Sequence, residues 1–382
     1  MTHPAAHMRR PTWIIFLVAT FTMAIVGPNA GGPDTTVAAS AQSGIFGAAA
    51  ATLQADRIGV VVTSPPPVPL PVSAQPVDTT DPDRIVGTGT PASCTSAALV
   101  AAVAAGGIIT FDCGPSRHTI TMAATAKVVN TSQRVVIDGG NMITLDGNNQ
   151  RRILYVNTCD PAQVWTTARC DNQAEPNLTV QNLTFTRGNS TAETFDGGGG
   201  GGALFVRGGR VRIINSTFTD NRCDTTGPDV GGGALRVLSQ YDGLPVIVAT
   251  STFTGNTCSN GGALSSIGQS WQVYNSTFVR NTAIGNGANP ARPGTPGGGN
   301  GGALYFDGNR YTVDVAGTII RDNTANEGGG AVFFVSNNLT GLLAIDRSTL
   351  QRNTSLAFET AGYPGIFYLG RGLPQITDTT ID

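Results

Sequence analysis

Charged side chains are scarce in this chain of 382 residues: they make up 13% of the sequence, and the formal net charge is −2. Because no basic run could contact a phosphate backbone, nucleic acid is not an expected partner. Histidine is scarcer still, since only His118 lies outside the first seven residues. This weakens any mechanism that needs a histidine base or a histidine-rich metal site.

Long apolar runs are missing after the first 26 residues. Arg9 and Arg10 precede an apolar run at 13–26, which has the length of a signal-peptide core and is too short for an ordinary membrane span. An A-x-A cleavage motif stands at 39–41. Residues 1–41 are therefore predicted as a signal peptide, with an uncleaved N-terminal anchor as the alternative. The rest of the chain is expected to be secreted or displayed on the cell surface.

The next segment, residues 42–91, is rich in Pro, Ala and Thr. Its proline cluster at 64–71 favours an extended polyproline conformation, so the segment is predicted to be a linker and spacer. The folded part is predicted at 92–382. A cap and irregular rungs would occupy 92–180, and regular rungs 181–382.

Glycine is abundant, with 50 residues, and much of it belongs to an internal repeat. The phrase Gly-Gly-Ala-(Leu/Val) occurs at 201–204, 232–235, 261–264, 301–304 and 329–332. A second phrase, in which an apolar residue stands three before an Asn, occurs at 216–221, 251–256, 276–281, 318–323 and 348–353. Repeats of this length are typical of a solenoid.

Apolar and polar residues alternate before each second phrase, which predicts short strands with one face inward. Three strands per rung would pair in parallel with the next rung and form three sheets around an apolar core. The repeat asparagines would stack as a ladder, and the Gly pairs would allow tight turns. A short helix at 97–105 would cap the N-terminal end. The fold class is therefore an all-β solenoid, a parallel β-helix.

The two phrases resemble the repeats of the chlamydial polymorphic outer-membrane proteins and, more broadly, the right-handed parallel β-helices of the pectate-lyase-like group. The resemblance covers about 180–382 at the level of motifs. It implies a right-handed β-helix and a surface-exposed, often adhesive, domain. Those proteins also carry a C-terminal β-barrel, and no matching segment is found here, so the autotransporter role is not carried over.

Six cysteines fit an oxidising compartment. Cys223 and Cys258 each follow a repeat asparagine by two residues, so stacked rungs would hold them roughly 4.8 Å apart, within disulfide reach. The other four flank a short helix or a short loop. The predicted pairs are Cys94–Cys113, Cys159–Cys170 and Cys223–Cys258.

The strand after each Gly-Gly-Ala phrase is the candidate ligand-binding surface, because its alternate residues should point outward. Exposed aromatic rings could stack on sugars, while charged groups fix hydroxyls or carboxylates. The candidate residues are Phe205, Arg207, Arg236, Tyr305, Asp307 and Phe333. The alternative is that loops cover them. The long excursions at 224–231 and 284–300 and the glycine run at 196–202 are further candidates.

No catalytic signature of a β-helix hydrolase or lyase is present, so no catalytic residue, metal ligand or cofactor is predicted. The leading hypothesis is a non-catalytic surface protein that binds a polysaccharide, a glycan or a surface protein, or acts as a structural spacer. The alternative is a polysaccharide lyase or hydrolase, with calcium as the cofactor of a lyase. The last rung stops before its asparagine, so a continuation of the chain or a partner is expected at the C-terminal end.

Overall fold

The computed structural model describes residues 65–195 and 198–382. The predicted signal peptide or anchor, residues 1–41, and the first part of the predicted linker, residues 42–64, lie outside these residues. Within the described part of the chain, no helix is long and apolar enough to cross a membrane.

Short strands follow one another through the described chain, and α1 (Ser96–Ala105) is its one α-helix. The strands are β1 (Arg84–Val86), β2 (Gly107–Phe111), β3 (His118–Thr121), β4 (Ala126–Lys127), β5 (Arg134–Asp146), β6 (Leu154–Asn157), β7 (Asn177–Thr186), β8 (Thr194–Phe195), β9 (Gly198–Gly199), β10 (Leu204–Arg207), β11 (Arg210–Ile214), β12 (Thr217–Thr219), β13 (Leu235–Ser239), β14 (Val246–Ala249), β15 (Thr252–Thr254), β16 (Thr257–Cys258), β17 (Leu264–Ile267), β18 (Trp271–Tyr274), β19 (Thr277–Val279), β20 (Thr282–Ala283), β21 (Leu304–Gly308), β22 (Thr312–Ala316), β23 (Ile319–Arg321), β24 (Thr324–Ala325), β25 (Val332–Ser336), β26 (Leu342–Asp346), β27 (Thr349–Gln351), β28 (Thr354–Ser355), β29 (Ile366–Leu369), β30 (Gln375–Thr377) and β31 (Thr380–Ile381). Short 3-10 turns lie at Val72–Ala74, Pro91–Ser93, Pro161–Gln163, Cys170–Asn172 and Tyr241–Gly243.

The strands stack in parallel, rung upon rung, into three sheets. Sheet A takes two strands from most rungs and contains β1, β2, β3, β5, β7, β11, β12, β14, β15, β18, β19, β22, β23, β26, β27, β30 and β31. Sheet B contains β4, β6, β10, β13, β17, β21, β25 and β29, and sheet C contains β16, β20, β24 and β28. A separate antiparallel hairpin joins β8 to β9. The predicted parallel β-helix is confirmed.

The core is a narrow apolar column because alternate strand residues point inward. On β11, Val211 and Ile213 are buried while Arg212 between them is only partly so. At the bends of sheet A the chain takes left-handed conformations, as at Asn215 with φ of 43°. Successive rungs place identical rings above one another. Phe185, Phe218, Phe253 and Phe278 form a stack with centroids 4.8 Å apart.

The predicted asparagine ladder is present at the turn after the second phrase. Its members are Asn221, Asn256, Asn281, Asn323 and Asn353. In each of the first four members, Nδ2 donates to Oδ1 of the next member at 2.9 Å, and the backbone N–H donates to that same oxygen. The ladder therefore satisfies buried backbone donors that a turn would otherwise leave without a partner.

The second glycine of each Gly-Gly-Ala phrase lies where neighbouring rungs approach most closely. A Cβ at Gly262 would overlap the carbonyl oxygen of Gly302, and one at Gly302 would overlap that of Gly330. Gly261, the first of its pair, has φ of 54°, a conformation that side chains disfavour. Both positions of the phrase therefore require glycine.

The N-terminal end of the core is covered by α1, as predicted. Thr95 caps this helix by accepting a hydrogen bond from the N–H of Ala98 at 3.1 Å. Leu99 and Val103 are fully buried against the first rungs. Gly106 ends the helix with φ of 71°.

All three predicted disulfides are formed. The Cα–Cα separations are 5.6 Å for Cys94–Cys113, 4.8 Å for Cys159–Cys170 and 4.8 Å for Cys223–Cys258. The last pair bridges adjacent rungs, as the repeat spacing predicted.

In the residues that the structure describes, the predicted linker is docked on the β-helix and is not a free spacer. Residues 65–83, here called the strap, lie along the outer face of sheet A, and β1 then pairs with β2. Val68 exchanges two hydrogen bonds with the amide of Asn275, and Val77 does so with Gln181. Ala74 is buried in a small apolar cluster that Leu70 also contacts. The amides of Asn275 and Gln181 take the place of a neighbouring strand, so the proline-rich strap docks on sheet A without strand pairing. Composition alone did not reveal this.

Candidate functional site

The outward-facing residues of sheet B align from rung to rung in one row, here called the outer column. It consists of Lys127, Tyr155, Phe205, Arg236, Ser265, Tyr305, Phe333 and Phe367. The rings stack where they are adjacent, with centroids 5.6 Å apart for Tyr155 and Phe205 and 5.1 Å for Tyr305 and Phe333. Four of the six predicted ligand-binding residues therefore lie in one row.

This row is not the exposed strip that the sequence predicted. The exposed fraction is 0% for Phe205, Arg236 and Tyr305 and 2% for Phe333. The 224–231 loop contacts Arg236, and the 284–300 loop contacts Tyr305. For these two residues the alternative that the sequence left open, coverage by loops, is therefore the correct one. Repeat spacing predicted that these side chains point away from the core. It could not predict whether a loop covers them.

Arg236 is held by the 224–231 loop and by the next rung. Its guanidinium donates to the carbonyl of Asp229 at 2.8 Å and to the hydroxyl of Ser265. Burial lowers the pKa of Arg236 to about 10, although Tyr305, Asp229 and Asp307 oppose this. At neutral pH the group remains a cation, and its contacts lock the covering loop onto the sheet.

Tyr305 and Asp307 form a polar cluster beneath the 284–300 loop. The Tyr305 hydroxyl donates to Asp307 at 3.1 Å, and Asn289 of the loop donates to the same carboxylate at 2.7 Å. Asn337 donates to the other carboxylate oxygen at 3.1 Å. Burial raises the pKa of Asp307 and raises that of Tyr305 well above its ordinary value. These groups could exchange protons, but in this arrangement they hold each other and the loop.

Arg207, the remaining candidate, lies apart from this cluster. Its guanidinium binds both oxygens of Asp171, at 2.7 and 3.3 Å, and this holds the pKa of Asp171 below its usual range. Asp171 follows Cys170, so the Cys159–Cys170 disulfide positions the carboxylate. Sulfur and carboxylate atoms converge here within 4.8 Å, the one such group in the described ranges. The two sulfurs are bonded to each other and cannot bind a metal as thiolates.

The 284–300 loop is itself a braced hairpin, with bridges between Asn286 and Gly297 and between Ala288 and Gly298. Arg292 forms an ion pair with Glu327, at 2.7 Å, whose side chain is only 4% exposed. The hydrogen bonds from Arg292 lower the pKa of Glu327. This loop, which the sequence suggested as a binding site, is held over Tyr305 by the Arg292–Glu327 ion pair and by Asn289.

The outer column opens to solvent at its N-terminal end. A cleft of about 380 Å³ there is lined by Lys127, Arg152, Tyr155, Asp160 and Glu193 together with two smaller residues. Lys127, the chain's single lysine, is exposed and lies 5.4 Å from the centroid of the Tyr155 ring. We refer to this as the sheet B cleft.

Charges in the sheet B cleft are balanced and anchored. The buried guanidinium of Arg152 pairs with Glu193, and the Tyr155 hydroxyl donates to Asp160 at 3.2 Å. Burial raises the pKa of Tyr155 to about 12, so the phenol stays neutral and can donate a hydrogen bond. Lys127, Asp160 and Glu193 are exposed or partly exposed and can contact a hydroxyl-rich ligand, while Arg152 and Tyr155, buried beneath them, hold the two carboxylates in place.

Sequence reasoning missed the sheet B cleft because the early rungs lack the Gly-Gly-Ala phrase. The signal was present, since Leu154-Tyr155-Val156 repeats the pattern of Leu204-Phe205-Val206 and pairs with it in register. Extending the repeat alignment one rung further would have placed Tyr155 in the outer column.

The fold and its repeat place this chain in the class of parallel β-helix repeat proteins. The family model of the Chlamydia polymorphic membrane protein repeat matches residues 250–267, which span one second phrase and one Gly-Gly-Ala phrase. The chain therefore carries repeats of that kind on a parallel β-helix. No curated protein and no solved structure matches the chain.

Proposed function

We propose that this protein is a secreted or cell-surface β-helix that binds a glycan without turning it over, and that the sheet B cleft is its binding site. The observation that carries this proposal is the contrast along the outer column. Its middle is sealed under loops, whereas at its N-terminal end the exposed Lys127 and the partly exposed Asp160 and Glu193 line an open cleft above the buried Tyr155.

Surface location is supported by two features. The matched repeat is described from a membrane protein family, and three disulfides fit an oxidising compartment. Each disulfide and ladder asparagine also stiffens a scaffold that can present a site without moving. Rigid presentation suits binding, since less conformational entropy is lost when the ligand is captured.

A second candidate function is cleavage of a polysaccharide, by a lyase or hydrolase reaction, at the covered cluster of Arg236, Tyr305 and Asp307. The specific observation in its favour is the raised pKa of Asp307 beside a tyrosine hydroxyl, since perturbed carboxyls often mark catalytic sites. Substrate could reach this cluster only if the 284–300 loop moved away. A calcium-dependent lyase would belong to this alternative.

The test uses the full secreted chain and a panel of neutral and acidic polysaccharides, with and without calcium. Binding is measured by calorimetry, and turnover by the absorbance of unsaturated products and by reducing ends. We expect saturable binding without product, weakened about tenfold by Lys127→Met and unchanged by Arg117→Gln, an exposed cation elsewhere. Product formation that Asp307→Asn abolishes would establish the enzyme instead. Absence of binding to every member of the panel would refute the proposal.

A further inference from the structure

A second cleft lies on the outer face of sheet A, on a different sheet from the sheet B cleft. It has a volume of about 460 Å³ and is bounded by β11, by the turn before β14, by Gln272 of β18 and by Ser73 of the strap. Arg210 and Arg212 project into it from one strand. They are two residues apart, so their side chains leave the same face of β11, roughly 7 Å from each other.

No carboxylate in the part of the chain that the structure describes neutralises the charge of these two arginines. Neither forms an ion pair with a carboxylate within the described ranges. Arg210 donates to the carbonyl of Ala174, and Arg212 donates to the hydroxyl of Thr179 and to the carbonyl of Ser73. All of these acceptors are neutral.

The nearest acid in the same row is too far away to act as a counter-ion. Arg212 aligns with Ile247, then Gln272, then Asp314, three strand spacings along sheet A. At 4.7 to 4.9 Å per spacing this is roughly 14 Å. In agreement with this geometry, burial and the neighbouring Arg210 lower the pKa of Arg212, and no carboxylate opposes them.

The rest of the cleft is apolar with amide groups at its edge. Leu244 is 43% exposed and lies beside Pro245 and Ile247. Asn177 and Gln272 supply amides that can donate to and accept from hydroxyls. Such a wall suits the C–H face of a sugar ring, while paired guanidinium groups suit a carboxylate.

We propose that this arginine cleft binds an acidic saccharide through a ring carboxylate held between Arg210 and Arg212. The strap forms one wall of the site through the Ser73 carbonyl, which accepts a hydrogen bond from Arg212 at 3.2 Å. It is separate from the sheet B cleft and does not depend on what binds there.

The experiment titrates oligogalacturonate into the full-length chain by calorimetry. It is done in a Lys127→Met background, in which binding at the sheet B cleft is expected to be about tenfold weaker. A neutral galacto-oligosaccharide of the same length and inorganic sulfate are the comparison ligands. We expect oligogalacturonate to bind, the neutral oligomer to bind at least about tenfold more weakly, and sulfate not to compete at equal concentration.

The double variant Arg210→Gln/Arg212→Gln should raise the dissociation constant for oligogalacturonate about tenfold or more. Leu244→Ser should weaken it by a smaller factor, and Arg280→Gln, which replaces an exposed arginine elsewhere, should leave it unchanged. Matching thermal unfolding of all variants establishes that they fold. The proposal is overturned by equal affinity in the double variant, by equal affinity for the neutral oligomer, by effective competition from sulfate, or by no binding in this background.

Discussion

Replacing Asn281 by alanine tests whether the asparagine ladder stabilises the β-helix. Its Oδ1 accepts from the N–H and the Nδ2 of Asn256, and its Nδ2 donates to Oδ1 of Asn323 and to the carbonyl of Phe253. All of these atoms lie in the buried turn, and Asn281 itself is 0% exposed.

The magnitude follows from which atoms lose all their partners. The side chain of Asn256 keeps its bond to the carbonyl of Phe218, and Oδ1 of Asn323 keeps the N–H of residue 281. The carbonyl of Phe253 keeps its place in the parallel ladder between β15 and β19, so the N–H of Asn256 is the group left without a partner. Since an unsatisfied buried polar group costs about 1 to 3 kcal/mol, we expect a loss of about 2 kcal/mol in the free energy of unfolding.

The assay is guanidinium unfolding followed by circular dichroism, fitted jointly across variants because repeat arrays can depart from two-state behaviour. Asn326→Ala is the matched control: Asn326 is exposed and donates a single bond, to Ile284 at 3.0 Å, so a change within about 0.5 kcal/mol is expected. If the two variants unfold within about 1 kcal/mol of each other, water can replace the ladder, and the argument from buried donors is refuted.

Three further results are expected. Replacing both Cys223 and Cys258 by serine removes a cross-link over 35 residues and should lower the free energy of unfolding by about 4 kcal/mol in the chain-entropy estimate; an unchanged denaturation midpoint would contradict it. The pKa of Glu327 is lowered, so its ion pair with Arg292 stabilises the loop above the ordinary carboxyl pKa and is lost as the pH falls through the lowered pKa. Pepsin should therefore cut the 284–300 loop faster as the pH falls from about 5 to about 3. Glu327→Gln should remove this pH dependence. Asn275→Ala removes both hydrogen bonds to Val68 and should speed thermolysin cleavage within the strap, whereas Asn326→Ala should not.

Particular residues show how far the sequence predicted the fold. The spacing of the Gly-Gly-Ala phrase and the asparagine predicted the rungs, the register of Leu204 with Leu235, and the Cys223–Cys258 disulfide. These succeed because a stacked solenoid repeats the same environment at each rung, so equal residues must occupy equal positions. The early rungs, where the phrase is missing, could be recognised only by strand rhythm.

The candidate site was predicted less well. Alternation correctly placed Phe205 and Tyr305 off the core, but whether an outward side chain meets water depends on loops that do not repeat. The 284–300 loop covers Tyr305 through Asn289, and no periodic signal predicts that contact.

The sequence by itself determined the solenoid, its inward faces, its ladder and its cross-links, because those depend on local periodicity and on contacts between equivalent positions. Only the tertiary structure decided which surface is open. It sealed the middle of the outer column, opened the cleft at Lys127, and laid the strap beside Arg212. Those outcomes depend on contacts between segments with no common period, such as Val68 with Asn275, 207 residues apart.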